Sequence, residues 1–461
     1  MIEVSAELLA RHDRPGPRYT SYPTAVEFGE GVGPDEYADR LAAAGSRQND
    51  PLSLYVHLPF CEARCSFCAC HVVVARRPEV AEPYIDRVVA EAALVAAHLG
   101  ARRSVVQYHW GGGTPTHHPP AVLQALHERL LDHFELDPVA EVAVEVDPRV
   151  TSDAHLDTLR ELGFNRLSLG VQDLDPGVQD LIGRGQTLEQ TEHLYREARR
   201  LGFPSINFDL IYGLPGQSEE TFTRTLAAVV EMRPDRLAVY SFAFVPWMRP
   251  HQKRIDEGLL PDTPTKFALL ATVVATLAAA GYRQIGMDHF ALPGDELVTA
   301  ADNGTLTRTF MGYTTKRDTD TVALGTSGIS DVDGLYAQNH RRLASYYESV
   351  DAGRLPVERG YRLDADDLVR RFVITELMCN GLVDLAAAGD RFGVDGVDYF
   401  AAEVGALCAP GGLVEEGMAR VDGATVVATE LGALFVRRLA TVFDVHTARR
   451  SGDKPMFSRT V

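Results

Sequence analysis

A chain of 461 residues is long enough for one large domain with one or two smaller ones. Its 45% hydrophobic and 24% charged residues describe a soluble globular protein, neither disordered nor membrane-embedded. No apolar run approaches the roughly 18 residues needed to span a bilayer. An excess of 64 acidic over 45 basic side chains, a formal charge of −19, argues against nucleic acid as a partner and makes any anionic ligand depend on local basic residues.

Residues 1–50 mix helical stretches with Arg14-Pro-Gly-Pro17 and Tyr19-Thr-Ser-Tyr-Pro23, and this Pro and Gly density predicts an arm rather than a domain. From Leu52 to about Phe244, strand-like runs at 52–60, 104–112, 141–148, 166–173, 204–213 and 236–244 alternate with helical runs near 79–99, 119–134, 152–163, 187–202 and 218–232. Six such repeats predict an α/β fold with a parallel sheet, curved or closed into a barrel, and right-handed crossovers that place the helices on one side. Within the strands, Val142, Val144 and Val146 share a face opposite Glu141, Ala143, Glu145 and Asp147. Leu167, Leu169 and Val171 likewise oppose Ser168, Gly170 and Gln172, and Ile206, Phe208 and Leu210 oppose Asn207 and Asp209. Several strands polar on one face predict an interior that holds a polar ligand. An antiparallel sheet with one wet face is the alternative, disfavoured by the intervening helices. A helix near 264–281, a strand over Arg283–Phe290 and turn-rich elements at Gly312–Thr315 and Gly325–Ser330 follow. The expected division is an arm over 1–50, a barrel with its extension over 51–355, and a mostly helical C-terminal domain over 356–461 with a short strand pair near 413–428 and an irregular tail.

Four of the six cysteines fall inside Cys61–Cys70, on the loop leaving the first strand. Disulfides, zinc and an iron–sulfur cluster are the three physical readings. Nothing at the N-terminus reads as a signal peptide, so reduced cysteines and a cytoplasmic location are expected. Structural zinc sites usually bring two C-x2-C knuckles or one knuckle with paired histidines. Here the spacing is C-x3-C-x2-C with one further Cys two residues on, and no second knuckle follows. Three closely spaced thiolates suit a four-iron cluster with one iron left open. Cys379 and Cys408 each read as a small buried hydrophobe.

The spacing, together with Tyr55-Val-His-Leu-Pro-Phe-Cys61, Cys68-Ala-Cys70, His109-Trp-Gly-Gly-Gly-Thr-Pro-Thr116, Glu145-Val-Asp-Pro148, Gly170-Val-Gln-Asp173, Asp209-Leu-Ile-Tyr-Gly-Leu-Pro215 and Gly286-Met-Asp-His-Phe290, resembles the oxygen-independent coproporphyrinogen III oxidase family of the radical S-adenosylmethionine (SAM) superfamily. The resemblance runs from Arg18-Tyr-Thr-Ser-Tyr-Pro23 to Phe457-Ser-Arg459, nearly the whole chain. It implies a partial TIM barrel of about six β/α units and an arm that lies over the active-site mouth, where composition alone equally allows a packing extension. It implies that Cys61, Cys65 and Cys68 ligate a [4Fe–4S] cluster and that Cys70 matters for catalytic activity, in a substrate-side or structural role. It also implies two SAM molecules, one with Tyr55, Gly112, Glu145 and Ile329, the other with Phe67, Gly113, Thr114, Gln172, Arg184, Asp209 and Ala243. The implied reaction converts the two propionates on rings A and B of coproporphyrinogen III to vinyls, giving protoporphyrinogen IX, with an unidentified electron donor and acceptor.

A monomer without membrane or nucleic-acid partners is expected. Arg18, Arg249, Lys253, Arg317 and Arg459 are the cations within reach of the propionate question, though each also reads as an ordinary surface charge. The family usually has Cys-Gly-Cys-Asn where this chain has Cys68-Ala-Cys-His71; His71 reads as a tolerated replacement, with a proton donor as the alternative. Three rivals stay open: a heme-binding chaperone on the same scaffold, another radical SAM enzyme acting on a tetrapyrrole, and a zinc-stapled barrel.

Overall fold

The computed structural model describes residues 6–449 except 13, 78 and 80, together with Phe457. The arm holds α1 (Ala6–His12) and α2 (Pro34–Gly45). Then follow β1 (Leu52–Leu58), the short pair β2 (Phe60–Cys61) and β3 (Val73–Val74), α3 (Glu82–Leu99), β4 (Ser104–Gly112), α4 (Pro120–Leu131), β5 (Glu135–Val146), α5 (Asp153–Glu161), β6 (Arg166–Gln172), α6 (Pro176–Leu181), α7 (Leu188–Arg200), β7 (Ser205–Tyr212), α8 (Glu219–Met232) and β8 (Arg236–Ser241). All six expected β/α units are present; the small helix α6 was not anticipated. Helices start where side chains satisfy orphan amides: Ser152 with His155, Thr187 with Gln190 and Ser218 with Thr221 form reciprocal caps.

β1, β4, β5, β6, β7 and β8 pair in parallel in that order. After α9 (Thr263–Ala279), the strand expected over 283–290 is instead a hairpin of β9 (Arg283–Ile285) and β10 (His289–Ala291). Gly286 breaks it: its φ is 59° and a Cβ there would lie 2.2 Å from the Tyr313 hydroxyl. Then come α10 (Glu296–Asp302), β11 (Thr307–Thr309), β12 (Gly312–Thr314), β13 (Asp320–Leu324), β14 (Ile329–Val332), β15 (Leu335–Asn339), α11 (Leu343–Asp351), β16 (Val357–Arg362) and α12 (Ala365–Asn380). Strand β13 pairs parallel to β1, and β14–β16 add antiparallel strands beyond it, giving a twelve-stranded sheet. The turn-rich readings of Gly312–Thr315 and Gly325–Ser330, with nothing assigned between them, therefore missed a sheet edge. Because β16 belongs to this sheet, we place the start of the helical layer after it, near Asp364, rather than at 356. Its three-stranded sheet joins β17 (Leu382–Asp384), β18 (Ala419–Asp422) and β19 (Thr425–Ala428).

The apolar strand faces pack under the helices. Trp110 is fully buried with its ring 4.8 Å from that of Phe164, and truncating it to Ala would cost roughly 3–5 kcal/mol. The opposite faces form a cross-strand polar chain. Ser53 Oγ donates to Gln107 Oε1 at 3.1 Å, Gln107 Nε2 to Glu141 Oε1 at 3.0 Å, and Ser168 Oγ to Asp209 Oδ2 at 2.9 Å. The polar interior expected from period-two alternation is thus present. A second core packs arm residues Tyr19 and Tyr22 with Leu377 and Phe443 of the C-terminal layer. Cys379 is buried in that core, but Cys408 is exposed, against expectation. Among the described residues no helix is long and apolar enough to cross a membrane.

Candidate active site

The cysteine loop leaves β1 and returns through the β2–β3 pairing, which registers Cys61 with Val74. Neighbouring elements then hold it. The Ser66 amide donates to Ile182 O at 2.9 Å, and the Phe67 ring packs against Val178, Ile182 and Ile211. Gln252 Nε2 donates to Phe67 O at 3.3 Å and to Ala243 O at 3.0 Å, while His251 Nε2 donates to Cys68 O at 2.8 Å.

The three thiols have different settings. Cys61 Sγ lies 3.2 Å from Thr114 Oγ1, and burial pushes its pKa up to about 11. Cys65 is buried, with Arg149 and Arg184 guanidiniums each 3.8 Å from its sulfur. Cys68 shares a hydrogen bond with Cys70, which makes Cys68 the more acidic of the two, with Arg64 and Arg249 adding to the effect. Among the described residues, no three His, Cys, Asp or Glu side chains converge as one ion would need. A four-iron cluster spans wider-set thiols. Three of them on one loop, electrostatically coupled and flanked by Arg64, Arg149, Arg184 and Arg249, fit such an anionic group.

Beside this loop a cavity of about 1030 Å³ opens, lined among others by Tyr55, His57, Cys70, His71, Gly112, Glu145 and Ile329. The glycine run at the end of β4 is sterically required. A Cβ at Gly111 would lie 2.7 Å from the Glu145 carboxylate, at Gly112 (φ 111°) 2.3 Å from the His57 ring, and at Gly113 2.4 Å from Pro59 backbone. The Gly112 amide donates to Glu145 Oε2 at 3.0 Å, and His109 Nε2 lies 3.3 Å from Oε1. Burial works to raise the Glu145 carboxyl, but His109 and the Gly112 amide hold it below the usual range. His57 Nε2 donates to His71 O at 3.1 Å, which leaves Nδ1 to accept from Tyr55 OH at 3.1 Å. Burial pushes His57 down to about 4, so its ring is neutral. His71 is half-buried, and its Nε2 has no hydrogen-bond partner among the described residues.

Of the expected site residues, Tyr55, Cys70, Gly112, Glu145 and Ile329 share the cavity lining. Phe67, Gly113, Thr114, Gln172, Arg184, Asp209 and Ala243 lie outside it, around the cysteine loop and the adjacent strand ends. Gln172 sits at φ 68° with its Nε2 against Gly170, and Arg184 donates to Gly170 O while reaching Cys65. Burial, reinforced by Glu145, pushes Asp209 up to about 6 against donation from Ser168 and Asn207.

Of the earlier cations, Arg18, Arg249 and Arg317 line the cavity; Lys253 does not, and Arg459 lies outside the described residues. Arg308, Lys316, Arg371 and Arg391 line it as well and were missed, although Lys316 adjoins the named Arg317. Arg317 pairs with Glu376, Arg371 with Asp331 at 2.5 Å and Arg391 with Asp318 at 2.9 Å, whereas Lys316 and Arg249 have no carboxylate partner among the described residues. The arm's Arg18–Tyr22 also line the cavity, and Arg18 donates to Ser241 O at the end of β8 at 2.5 Å. Arg149 was missed although it lies one residue beyond the recognised Glu145–Pro148 motif.

A family model described as the Radical SAM superfamily matches residues 55–229, from β1 through most of α8, so fold and site define a radical SAM enzyme that uses a [4Fe–4S] cluster and SAM. The oxygen-independent coproporphyrinogen III oxidase of Pseudomonas aeruginosa is 42% identical over 462 residues, covering 100% of this chain and 99% of its own, and that of Escherichia coli is 42% identical over 460 residues with the same coverage. The solved structure of the Escherichia coli coproporphyrinogen III oxidase, a radical SAM enzyme, superposes with a TM-score of 0.89 at 41% identity, covering 93% of this chain and 97% of that one. The chain belongs to the oxygen-independent coproporphyrinogen III oxidase family.

Proposed function

We propose that this chain oxidatively decarboxylates coproporphyrinogen III to protoporphyrinogen IX, converting the propionates on rings A and B to vinyls in heme biosynthesis. The observation that carries this reading is a cavity of about 1030 Å³ that meets the cysteine loop at Cys70 and is lined by seven basic side chains in a chain of charge −19. Cys61, Cys65 and Cys68 would hold the cluster. Tyr55, Gly112, Glu145 and Ile329 would hold one SAM, and Phe67, Gly113, Thr114, Gln172, Arg184, Asp209 and Ala243 a second. Two SAM molecules suit two hydrogen abstractions, and the two residue sets occupy different surroundings. When bound, cluster and SAM supply the 5′-deoxyadenosyl radical that removes a hydrogen from a propionate β-carbon.

The protein's own residues orient and sort charge. Glu145, held ionised, can accept from a SAM amino group or ribose hydroxyl. Arg249 and Lys316, lacking carboxylate partners, are free to meet propionates, while Cys70 faces the substrate side. Loss of CO2 from each propionate leaves one electron, which an external acceptor would take, and an external donor would supply the electron that SAM cleavage needs. Incubation of the reconstituted protein with coproporphyrinogen III and SAM, anaerobically and with reductant, is expected to yield protoporphyrinogen. Tight heme binding without decarboxylation would contradict the reading and favour the chaperone.

A further inference from the structure

On the outer side of β1, α3 buries a carboxylate that the chemistry above does not use. Glu91 is 1% exposed and faces donors only: the Gly325 amide at 2.7 Å, the Tyr346 hydroxyl at 2.6 Å and Asn339 Nδ2 at 2.6 Å. Asn339 Nδ2 also donates to Gly325 O at 2.9 Å, so both polar atoms of Gly325 are held through this group. Gly325 has φ 94°, and a Cβ there would lie 2.3 Å from Tyr84 OH and 2.6 Å from His57 O. Tyr84 OH in turn donates to His57 O at 2.6 Å and accepts from the Thr326 amide at 2.9 Å. The residues that follow, Ser327, Gly328 and Ile329, line the cavity, and Ser327 Oγ lies 3.5 Å from His57 Nε2.

We infer that Glu91 is a positioning residue for the SAM cavity: its carboxylate fixes Gly325, and through it holds the Ser327–Ile329 wall in register with the β1 end that carries Tyr55 and His57. This rests on the reading of that cavity as a SAM site. A carboxylate suits the task because each of its three neighbours is a donor, and a buried acceptor without donors, or donors without an acceptor, is costly. Gly325 and Tyr346 share Oε2 while Asn339 takes Oε1, so glutamine at this position turns its amide nitrogen either toward Asn339 or toward Gly325 and Tyr346, and one hold on Gly325 is lost in each case.

Burial pushes Glu91 up to about 7, opposed by Tyr346, Gly325 and Asn339. The titratable groups facing it are Tyr37 of α2, Tyr84 of its own helix and Tyr346 of α11, each raised by burial, while His57 and His340 meet this group through their backbone carbonyls, on Tyr84 OH and Thr326 Oγ1. Burial pushes the His57 ring down to about 4.

The test compares the full chain with Glu91→Gln in two arms. Hydrogen exchange, which needs neither SAM nor porphyrinogen, is expected to show the 325–329 amides exchanging about tenfold faster in the variant, the loss of one charge-assisted hydrogen bond. In the parent the protection of the same amides, taken relative to their intrinsic exchange rate at each pH, falls as pH drops through about 7, while in the variant it does not. In reconstituted enzyme the SAM KM is expected to rise about tenfold at little-changed kcat. Tyr346→Phe removes a donor without touching Gly325 and is expected to leave exchange within about twofold. Equal 325–329 protection in parent and Glu91→Gln, or a kcat loss with unchanged SAM KM, overturns the inference. The exchange arm reports on Glu91 whatever the porphyrinogen assignment proves to be.

Discussion

Two glutamates flank His57 from opposite sides of β1, each accepting the amide of a glycine that cannot carry a Cβ: Glu145 with Gly112 and Glu91 with Gly325. Their charge states diverge. Glu145 opens on the cavity with His109 beside it and is held below the usual carboxylate range, whereas Glu91 is sealed among neutral donors and rises to about 7. Partner chemistry, more than depth, decides which carboxylate is dependably anionic. The ionised one faces the ligand; the titrating one faces the scaffold.

The largest expected effect breaks the first of these pairs. Gly112→Ala drives a methyl group into the His57 ring at a φ that L-residues avoid, and should lower SAM cleavage by more than about a hundredfold while leaving bound iron at the parent level. Retained cleavage would show that the glycine run does not approach the ligand. Glu145→Gln removes a charge-assisted acceptor and should raise the SAM KM about thirtyfold, more than Glu91→Gln, because it acts on the ligand rather than on a wall. If Glu91→Gln proves the more damaging, the comparison is reversed.

What could be read from the chain before its structure follows the same division. Strands β5 to β7 declare themselves because Val142, Leu167 and Ile206 alternate with Glu141, Ser168 and Asn207, and one face of each meets helices. The edge made by β13–β16 did not, because these strands are only four to six residues long and β13 to β15 follow one another through turns, with a helix, α11, only before β16. Nothing local in Asp320–Leu324 announces parallel pairing with β1, a contact across more than 260 positions. Cys61, Cys65 and Cys68 were legible through spacing, as was Glu145 through its place at a strand end. Arg149 beside Cys65 and Glu91 behind Gly325 were not, since only tertiary packing makes an arginine or a helical glutamate special.

Smaller effects sharpen the picture. Lys316→Ala should raise the KM for coproporphyrinogen III about fivefold, as for a partly solvent-screened ion pair, without changing substrate-free SAM cleavage. Parallel losses in both would place Lys316 in the SAM site instead. Asp209→Asn tests the interior charge next to Glu145. An acid whose folded pKa is raised to about 6 loses stability as pH climbs from its unfolded value of 3.8 through 6. The Asn variant should therefore be more stable than the parent at pH 7.5, by on the order of 1 kcal/mol, and the gap should close by pH 4. Thermal unfolding at both pH values checks the sign.

The most direct measurement is the stoichiometry of anaerobic turnover with coproporphyrinogen III, counting SAM cleaved and CO2 released for each protoporphyrinogen formed. The account predicts two CO2 and two SAM per product. Robust SAM cleavage with neither CO2 nor protoporphyrinogen would contradict it.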